Sequence, residues 1–288
     1  MLLVLGAGGQ IGRALIERAG DAAVGLSGKE CDIRDAMSVT RALSAAGLSA
    51  VVNCAAYTAV DRAESECERA FAVNAEGAGI VARAAAACGL PVIHLSTDYV
   101  YAGTKPAPYR EDDPVGPINV YGASKAAGES VVKAENPAHL VLRVSWVFGV
   151  YGTNFVKTML RLGRERRELR VVVDQIGGPT EARDIADAIL TMAAACRRSG
   201  FLAWGTYHFA GAPSTSWHEF ADAIFARAHS LVPCLVPITS RDYPTQAARP
   251  GNSALDCSGI RRVFNLEQPD WRISLSRVLG ELGEAATH

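Results

Sequence analysis

The stretch Leu2-Leu3-Val4-Leu5-Gly6-Ala7-Gly8-Gly9-Gln10-Ile11-Gly12 decides the fold. Its four opening residues make an apolar run suited to a strand buried on both faces. Gly6, Gly9 and Gly12 follow at a spacing of three, and residues 10–19 read as a helix. Strand, glycine turn and helix in that order form the setting in which the pyrophosphate of a dinucleotide is held. Glycine permits the tight turn and the close approach of backbone to phosphate. The helix N-terminus adds free N–H groups and partial positive charge. A glycine triplet by itself is equally a flexible turn; its place behind a strand favours the binding reading.

Working outward, strand-like and helix-like runs alternate. Residues 23–26, 50–53, 91–96 and 139–144 read as strands. Residues 36–46, 64–89 and 124–135 read as helices, with Asp35 as an N-cap. Val-rich strands between helices predict an α/β fold, a doubly wound parallel sheet of Rossmann type. Beyond residue 150 the pattern predicts helices at 154–167, 181–196 (capped near Thr180) and 217–228, and strands at 169–174 and 206–210. Residues 231–252 are rich in Pro, Ser, Thr and Arg and read as a long binding loop. The division expected is a dinucleotide-binding domain of residues 1–149 plus about 177–210. A smaller α/β substrate domain takes about 150–176 plus 211–288.

A chain of 288 residues, 49% hydrophobic and 20% charged, has enough apolar material for a packed core. A net charge of -1 gives no reason to expect nucleic acid or an anionic membrane as partner. Seven scattered cysteines without a C-x-x-C pair fit reduced thiols rather than a disulfide frame or a zinc site. The opening apolar run is short, lacks a basic flank and reads as a strand, not a signal peptide. No apolar run is long enough to span a bilayer. The expected location is cytoplasmic.

The end of the second strand, Leu26-Ser27-Gly28-Lys29, carries no acid to hold ribose hydroxyls. Lys29 tolerates a 2′-phosphate, which leans toward NADPH; nearby Glu30 leaves NADH open. Asp32 and Ile33 are placed to flank an adenine, although Asp32 also suits a solvent-facing turn. Asn53-Cys54-Ala55-Ala56-Tyr57-Thr58 puts small residues at a strand end, where a cofactor lies against open α/β sheets. Thr97 ends another strand, and Tyr121 and Lys125 stand four apart on one helix face. A free phenol, with a pKa near ~10, is a poor acid at neutral pH. A neighbouring ammonium and a cationic ring lower that value, so this triplet can protonate a carbonyl oxygen as hydride arrives.

With these residues in view, the chain resembles the extended short-chain dehydrogenase/reductase family, and within it the reductases of dTDP-4-keto-6-deoxysugars. The stretches that carry the resemblance run in order through nearly the whole chain. They are GAGGQIG (6–12), NCAAYTAVDRAES (53–65), LSTDYVYAGT (95–104), NVYGASKAAGE (119–129), LRVSWVFG (142–149), NFVKTMLRL (154–162), DQIGGPT (174–180) and ARPGNSALD (248–256). The resemblance implies reduction of the C4 keto group of dTDP-4-dehydro-L-rhamnose to dTDP-L-rhamnose. Tyr121 would be the proton donor, Lys125 would bind the nicotinamide ribose and tune Tyr121, and Thr97 would polarise the keto group. Asp98, Tyr99 and Trp146 would face the sugar, and Arg249 would meet the diphosphate or stand solvated in its loop. Cofactor contacts would fall on Gly6, Gly9, Gln10, Ile11, Gly12, Asp32, Ile33, Ala55, Ala56 and Thr58, together with Tyr121 and Lys125.

Some relatives form a magnesium-linked dimer through two glutamates, whose places here hold Ala14 and Arg183. Neither supplies an oxygen ligand, so magnesium is not expected and the chain is expected to be a monomer or weak homodimer. Sugar-nucleotide dehydratases of the same superfamily place Asp-Glu after the strand-end threonine. Thr97-Asp98-Tyr99 lacks the second acid. A reductase of another dTDP-4-keto-6-deoxysugar, or a non-catalytic subunit resembling the regulatory β subunit of methionine adenosyltransferase, stays open.

Overall fold

The alternation of Leu2, Leu3, Val4 and Leu5 sets the layers. In the computed structural model, which describes residues 1–45, 47–228 and 233–284, these residues form β1 (Leu2–Leu5). It lies between β2 (Ala23–Leu26) and β3 (Ala50–Asn53), with β4 (Val92–Thr97), β5 (His139–Val144) and β6 (Gly205–Phe209) continuing outward. The spatial order is 2-1-3-4-5-6 and every pairing is parallel. The order reverses between β1 and β3, and the Gly6–Gly12 turn leaves β1 at that switch point.

Side chains two apart share a face. Leu2, Val4, Ala50, Val52, Ile93 and Leu95 pack with Ala14, Leu15, Ile185 and Ile189, from helices α1 (Gln10–Ala19) and Ala182–Cys196. Leu3, Leu5, Val51 and Val92 pack with Val39, Val81, Ala85 and Val132 on the other face. A further apolar cluster lies apart from the sheet. Val156, Leu160, Phe220, Ile224, Trp271 and Leu275 build it from helices Phe155–Glu165, Trp217–Phe225 and Trp271–Glu281, with Phe148 from the short strand Val147–Phe148. Leu255, Cys257, Ile260 and Phe264 return to the sheet's own core.

Several elements differ from the sequence reading. The helix or pair of helices expected at 64–89 runs without a gap from Cys67 to Ala87, but its middle, Ala72–Gly77, winds as a π-helical turn, and a short helical turn Val60–Ala63 precedes it. Helix Ala36–Leu43 is capped by Asp35, whose carboxylate accepts the Met37 N–H; its expected end at Ala46 lies outside the described residues. Thr180 caps nothing. The cap position is Glu181, without a side-chain bond, and the Thr180 hydroxyl serves Gly178 and Gly211 instead. The region 231–252 is not all loop, since Cys234–Ile238 pairs in parallel with Glu168–Val172; residues 231 and 232 lie outside the described residues.

The helix Val120–Glu135 lies unusually close to its neighbours. Its N-cap is Asn119, whose side chain accepts the Gly122 N–H at 2.7 Å and donates to the Ala248 carbonyl at 2.8 Å. A Cβ at Gly122 would stand 2.1 Å from the Tyr99 carbonyl oxygen, and one at Gly128 2.0 Å from that of Asn74. Only glycine allows this backbone-to-backbone contact.

Candidate active site

The strand ends and the glycine turn open onto two adjoining cavities of about 390 and 630 Å³. Gly8, Gly9, Cys54 and Ala56 border both, so they form one trough along the carboxyl edge of the sheet. Gly6, Asp32, Ile33 and Ala55 line the smaller cavity. Gln10, Ile11, Gly12, Thr58, Thr97, Asp98, Tyr99, Tyr121, Lys125 and Trp146 line the larger. Arg249 lines neither: its guanidinium is tied to Asp61 at 2.8 Å and to the Ala247 carbonyl at 3.0 Å.

The glycine turn fits a pyrophosphate. A Cβ at Gly6 would lie 2.5 Å from the Ala55 nitrogen, and one at Gly12 2.4 Å from the Gly6 oxygen, so both glycines are needed by the turn itself. Gly8 and Gly9 are not crowded by the protein to that degree, yet both face the trough, where absent side chains leave room for a ligand. No side chain caps α1, so its first N–H groups point toward that space uncapped.

At the smaller cavity the cation differs from the one singled out in the sequence. Lys29 is exposed and outside the lining. Arg34 and Arg69 line it, each already paired, Arg34 bidentate with Asp32 and Arg69 with Glu66. The hydrogen bonds from Arg34 hold the Asp32 carboxyl below the usual carboxylate range. Glu30 turns away to bond the Ser27 N–H and hydroxyl. The signal for Arg34 lay two residues beyond Asp32, in a loop whose course no periodicity reveals.

At the larger cavity Thr97 closes β4 while Tyr121 and Lys125 come from the first turns of helix Val120–Glu135. Burial pushes the Tyr121 phenol up to about 12, against a hydrogen bond with Thr97, so it stays protonated at neutral pH. The expected lowering by Lys125 is not found. The ammonium donates to the Leu95 carbonyl at 2.6 Å, and its charge bears on Cys54 and His94 rather than on the phenol. Burial brings Lys125 itself down to about 8, opposed by the charge of Glu129 and by Cys54. The Thr97 hydroxyl donates to Asp98 at 3.0 Å and accepts the Tyr99 N–H at 3.2 Å. Asp98 is buried, and burial raises its carboxyl to about 6 although Ser253, Thr97 and Ser145 bond to it.

Two features escaped the sequence reading. Trp217 lines the cleft from the second apolar cluster and stacks on Trp146. Its signal was the capping box Ser216–Glu219, which puts Trp217 in the first helical turn. Behind the cleft, Glu129 bonds Arg143 at 2.8 and 2.6 Å and Ser96 at 2.6 Å, with both charges almost wholly buried. At the magnesium positions, Ala14 is buried in the core, and the Arg183 guanidinium bridges Glu17 and Glu281.

The family described as RmlD substrate binding domain matches residues 1–284. The chain belongs to this family. Its RmlD-family relatives include dTDP-4-dehydrorhamnose reductases of Sinorhizobium fredii, 44% identical over 98% of this chain and 97% of the relative, and Aggregatibacter actinomycetemcomitans, 42% identical over 96% and 97%. The crystal structure of dTDP-4-dehydrorhamnose reductase from Bacillus anthracis in complex with NADP superposes with a TM-score of 0.90, at 37% identity, covering 97% of this chain and 98% of that one. The parallel sheet and its layers are thus those of the RmlD family. No described helix is long and apolar enough to cross a membrane.

Proposed function

We propose that the protein reduces the C4 keto group of dTDP-4-dehydro-L-rhamnose to dTDP-L-rhamnose with NADPH as hydride source. One observation carries this reading: the Tyr121 phenol, the Thr97 hydroxyl and the Lys125 ammonium border a single cleft that runs on into the glycine trough. The names and NADP complex of the relatives support the substrate and cofactor.

Bound NADPH supplies a hydride to C4. Gly8, Gly9 and the first amides of α1 would hold its pyrophosphate, Asp32 and Ile33 its adenine, and Ala55, Ala56 and Thr58 would line its path along the strand ends. Tyr121, protonated at neutral pH as a phenol is, gives its proton to the C4 oxygen as negative charge develops there. Thr97 turns its hydroxyl from Asp98 to the same oxygen, and Lys125 holds the nicotinamide ribose. Tyr99 stands edge-on to Tyr121 with centroids 5.8 Å apart, which fixes the phenol's tilt. Residues 1–149 with about 177–210 serve the dinucleotide, and about 150–176 with 211–288 serve the sugar nucleotide.

The test is NADPH oxidation, followed by absorbance, with dTDP-6-deoxy-L-lyxo-4-hexulose generated in place. NADH and the unepimerised D-xylo sugar run in parallel. Oxidation that requires the epimerised sugar and yields dTDP-L-rhamnose supports the reading. Oxidation with the D-xylo sugar alone moves it to another deoxysugar, and NADPH binding without turnover moves it to a non-catalytic role.

Lys125→Ala is expected to weaken NADPH binding and lower the rate, each about tenfold or more, while in the unaltered protein kcat/KM falls as pH rises through about 8 and Lys125 loses its proton. Titration of NADPH fluorescence and a pH–rate profile check both; unchanged cofactor affinity would remove the lysine from the ribose. EDTA is expected to leave activity unchanged, because Arg183 stands where a carboxylate ligand would be needed and already pairs with Glu17 and Glu281. A loss restored by magnesium would refute that.

A further inference from the structure

Among the described residues two non-glycine side chains sit on left-handed backbone, Trp146 (φ 44°) and Asn265 (φ 56°). Asn265 ends the helix Ser258–Phe264, a place where asparagine takes up that conformation readily. Trp146 ends no helix. It stands just beyond β5 and borders the larger cavity. Left-handed backbone is an outlier for so bulky a residue, and it persists only where the surroundings over-determine it.

Three contacts do so. The Trp146 carbonyl accepts the Thr180 N–H at 3.2 Å. Gly177 lies directly against the indole, so that a Cβ there would stand 2.3 Å from Cε2 and 2.4 Å from Nε1. The Trp217 indole lies flat on that of Trp146, with centroids 3.5 Å apart and planes 3° from parallel. Trp217 is itself held. Its Nε1 donates to the Gln175 side chain at 3.2 Å, Phe155 packs on its ring at 4.6 Å, and the Ser216–Glu219 capping box fixes where its helix starts. Trp146 therefore follows a strand of the main sheet, while its partner opens a helix of the second apolar cluster.

We propose that Trp217 and Gly177 are positioning residues for the reduction: Trp217 by stacking, and Gly177 by leaving room, fix the Trp146 indole as a wall of the sugar site. The proposal rests on the reductase reading above. It makes a specific claim about coupling, namely that Trp217 acts through Trp146. The stack covers one indole face, so the sugar meets what Trp146 leaves uncovered, held in a single orientation.

The test uses the full chain and five variants: Trp146→Phe, Trp217→Ala, Trp217→Phe, Gly177→Ala and the double variant Trp146→Phe/Trp217→Ala. Circular dichroism without ligand reads the stack, since two indoles in contact whose transition dipoles are rotated within their parallel planes couple into an exciton couplet. Steady-state kinetics at saturating NADPH read KM for the sugar nucleotide and kcat separately, and fluorescence reads NADPH affinity. The couplet is expected in the unaltered protein and lost in Trp146→Phe and Trp217→Ala. Trp217→Ala and Gly177→Ala are expected to raise the sugar-nucleotide KM about five- to tenfold, with NADPH affinity unchanged. Trp217→Phe, which keeps a ring in place, restores most of that loss. The double variant is expected to be no worse than Trp146→Phe alone, because the two act as one unit. Additive losses, or a normal KM in Trp217→Ala with the couplet gone, overturn the proposal. An unaltered protein that turns over no sugar sinks the reductase reading instead; the same variants scored by affinity for dTDP-L-rhamnose then decide the positioning role.

Discussion

Replacing Tyr121 with phenylalanine is expected to lower kcat about a thousandfold while NADPH binds with nearly its normal affinity. A positioned general acid contributes about 10²–10⁴ in rate, and Tyr121 is the phenol of the cleft that hydrogen-bonds Thr97, held edge-on by Tyr99. The direction of proton transfer follows from the environment. A phenol is protonated at neutral pH and burial raises Tyr121 further, so the resting protein holds the form that reduction consumes, and the positive charge that develops on the nicotinamide ring as hydride leaves would favour the proton's release. Thr97 does not replace it, because an aliphatic hydroxyl is a far weaker acid than a phenol; it can polarise the C4 oxygen but not give up its proton. Single-turnover absorbance with preformed NADPH complex separates chemistry from binding. Full activity in this variant would remove Tyr121 from the proton-transfer step.

The second large effect concerns stability. Glu129→Ala is expected to cost about 3–5 kcal/mol, because it strands the Arg143 guanidinium in the core. The pair is 3% and 2% exposed. Arg143 also donates to the Tyr101 hydroxyl at 2.6 Å, which contacts His208, so the loss extends to β6. Burial pushes the Glu129 carboxyl up, but the hydrogen bonds and charge of Arg143 outweigh it and hold the group below the usual carboxylate range. A depressed carboxylate stabilises the fold above its ordinary pKa, and that contribution is lost as pH falls through the folded value. Urea unfolding across that range should show the acid-side decline in the unaltered protein and its absence in the variant. Equal midpoints at neutral pH would show that the pair does not support the fold.

How much of this was legible in the sequence depended on the range of the interaction. Leu2–Leu5, the glycine turn and α1 were readable because strand, turn and helix signals are local and agree with one another. Tyr121 and Lys125 were readable because helical spacing alone puts them on one face. The π-helical turn at Ala72–Gly77 had no signal, since an alanine-rich run fits α and π winding alike. Arg34 replaced Lys29 at the smaller cavity through a loop course that side-chain chemistry does not encode. The Glu129–Arg143 pair joins a helix to a strand 14 positions on, and each residue alone reads as an ordinary surface charge. Trp217 reaches the cleft only because a separate cluster packs beside the sheet, a tertiary fact.

Gly122 and Gly128 carry one last consequence. The helix that presents Tyr121 and Lys125 rests on main-chain oxygens at two points, with no side chain between. At those two points its height above the β4 edge is set by main chain against main chain, not by the choice of a rotamer. It acts as a fixed datum against which the reacting oxygen is placed. Any attempt to broaden substrate scope by reshaping this side of the cleft would shift the acid along with the wall. The adjustable side is the opposite one, where indoles and loops set the width, so new sugars are best accommodated by engineering there.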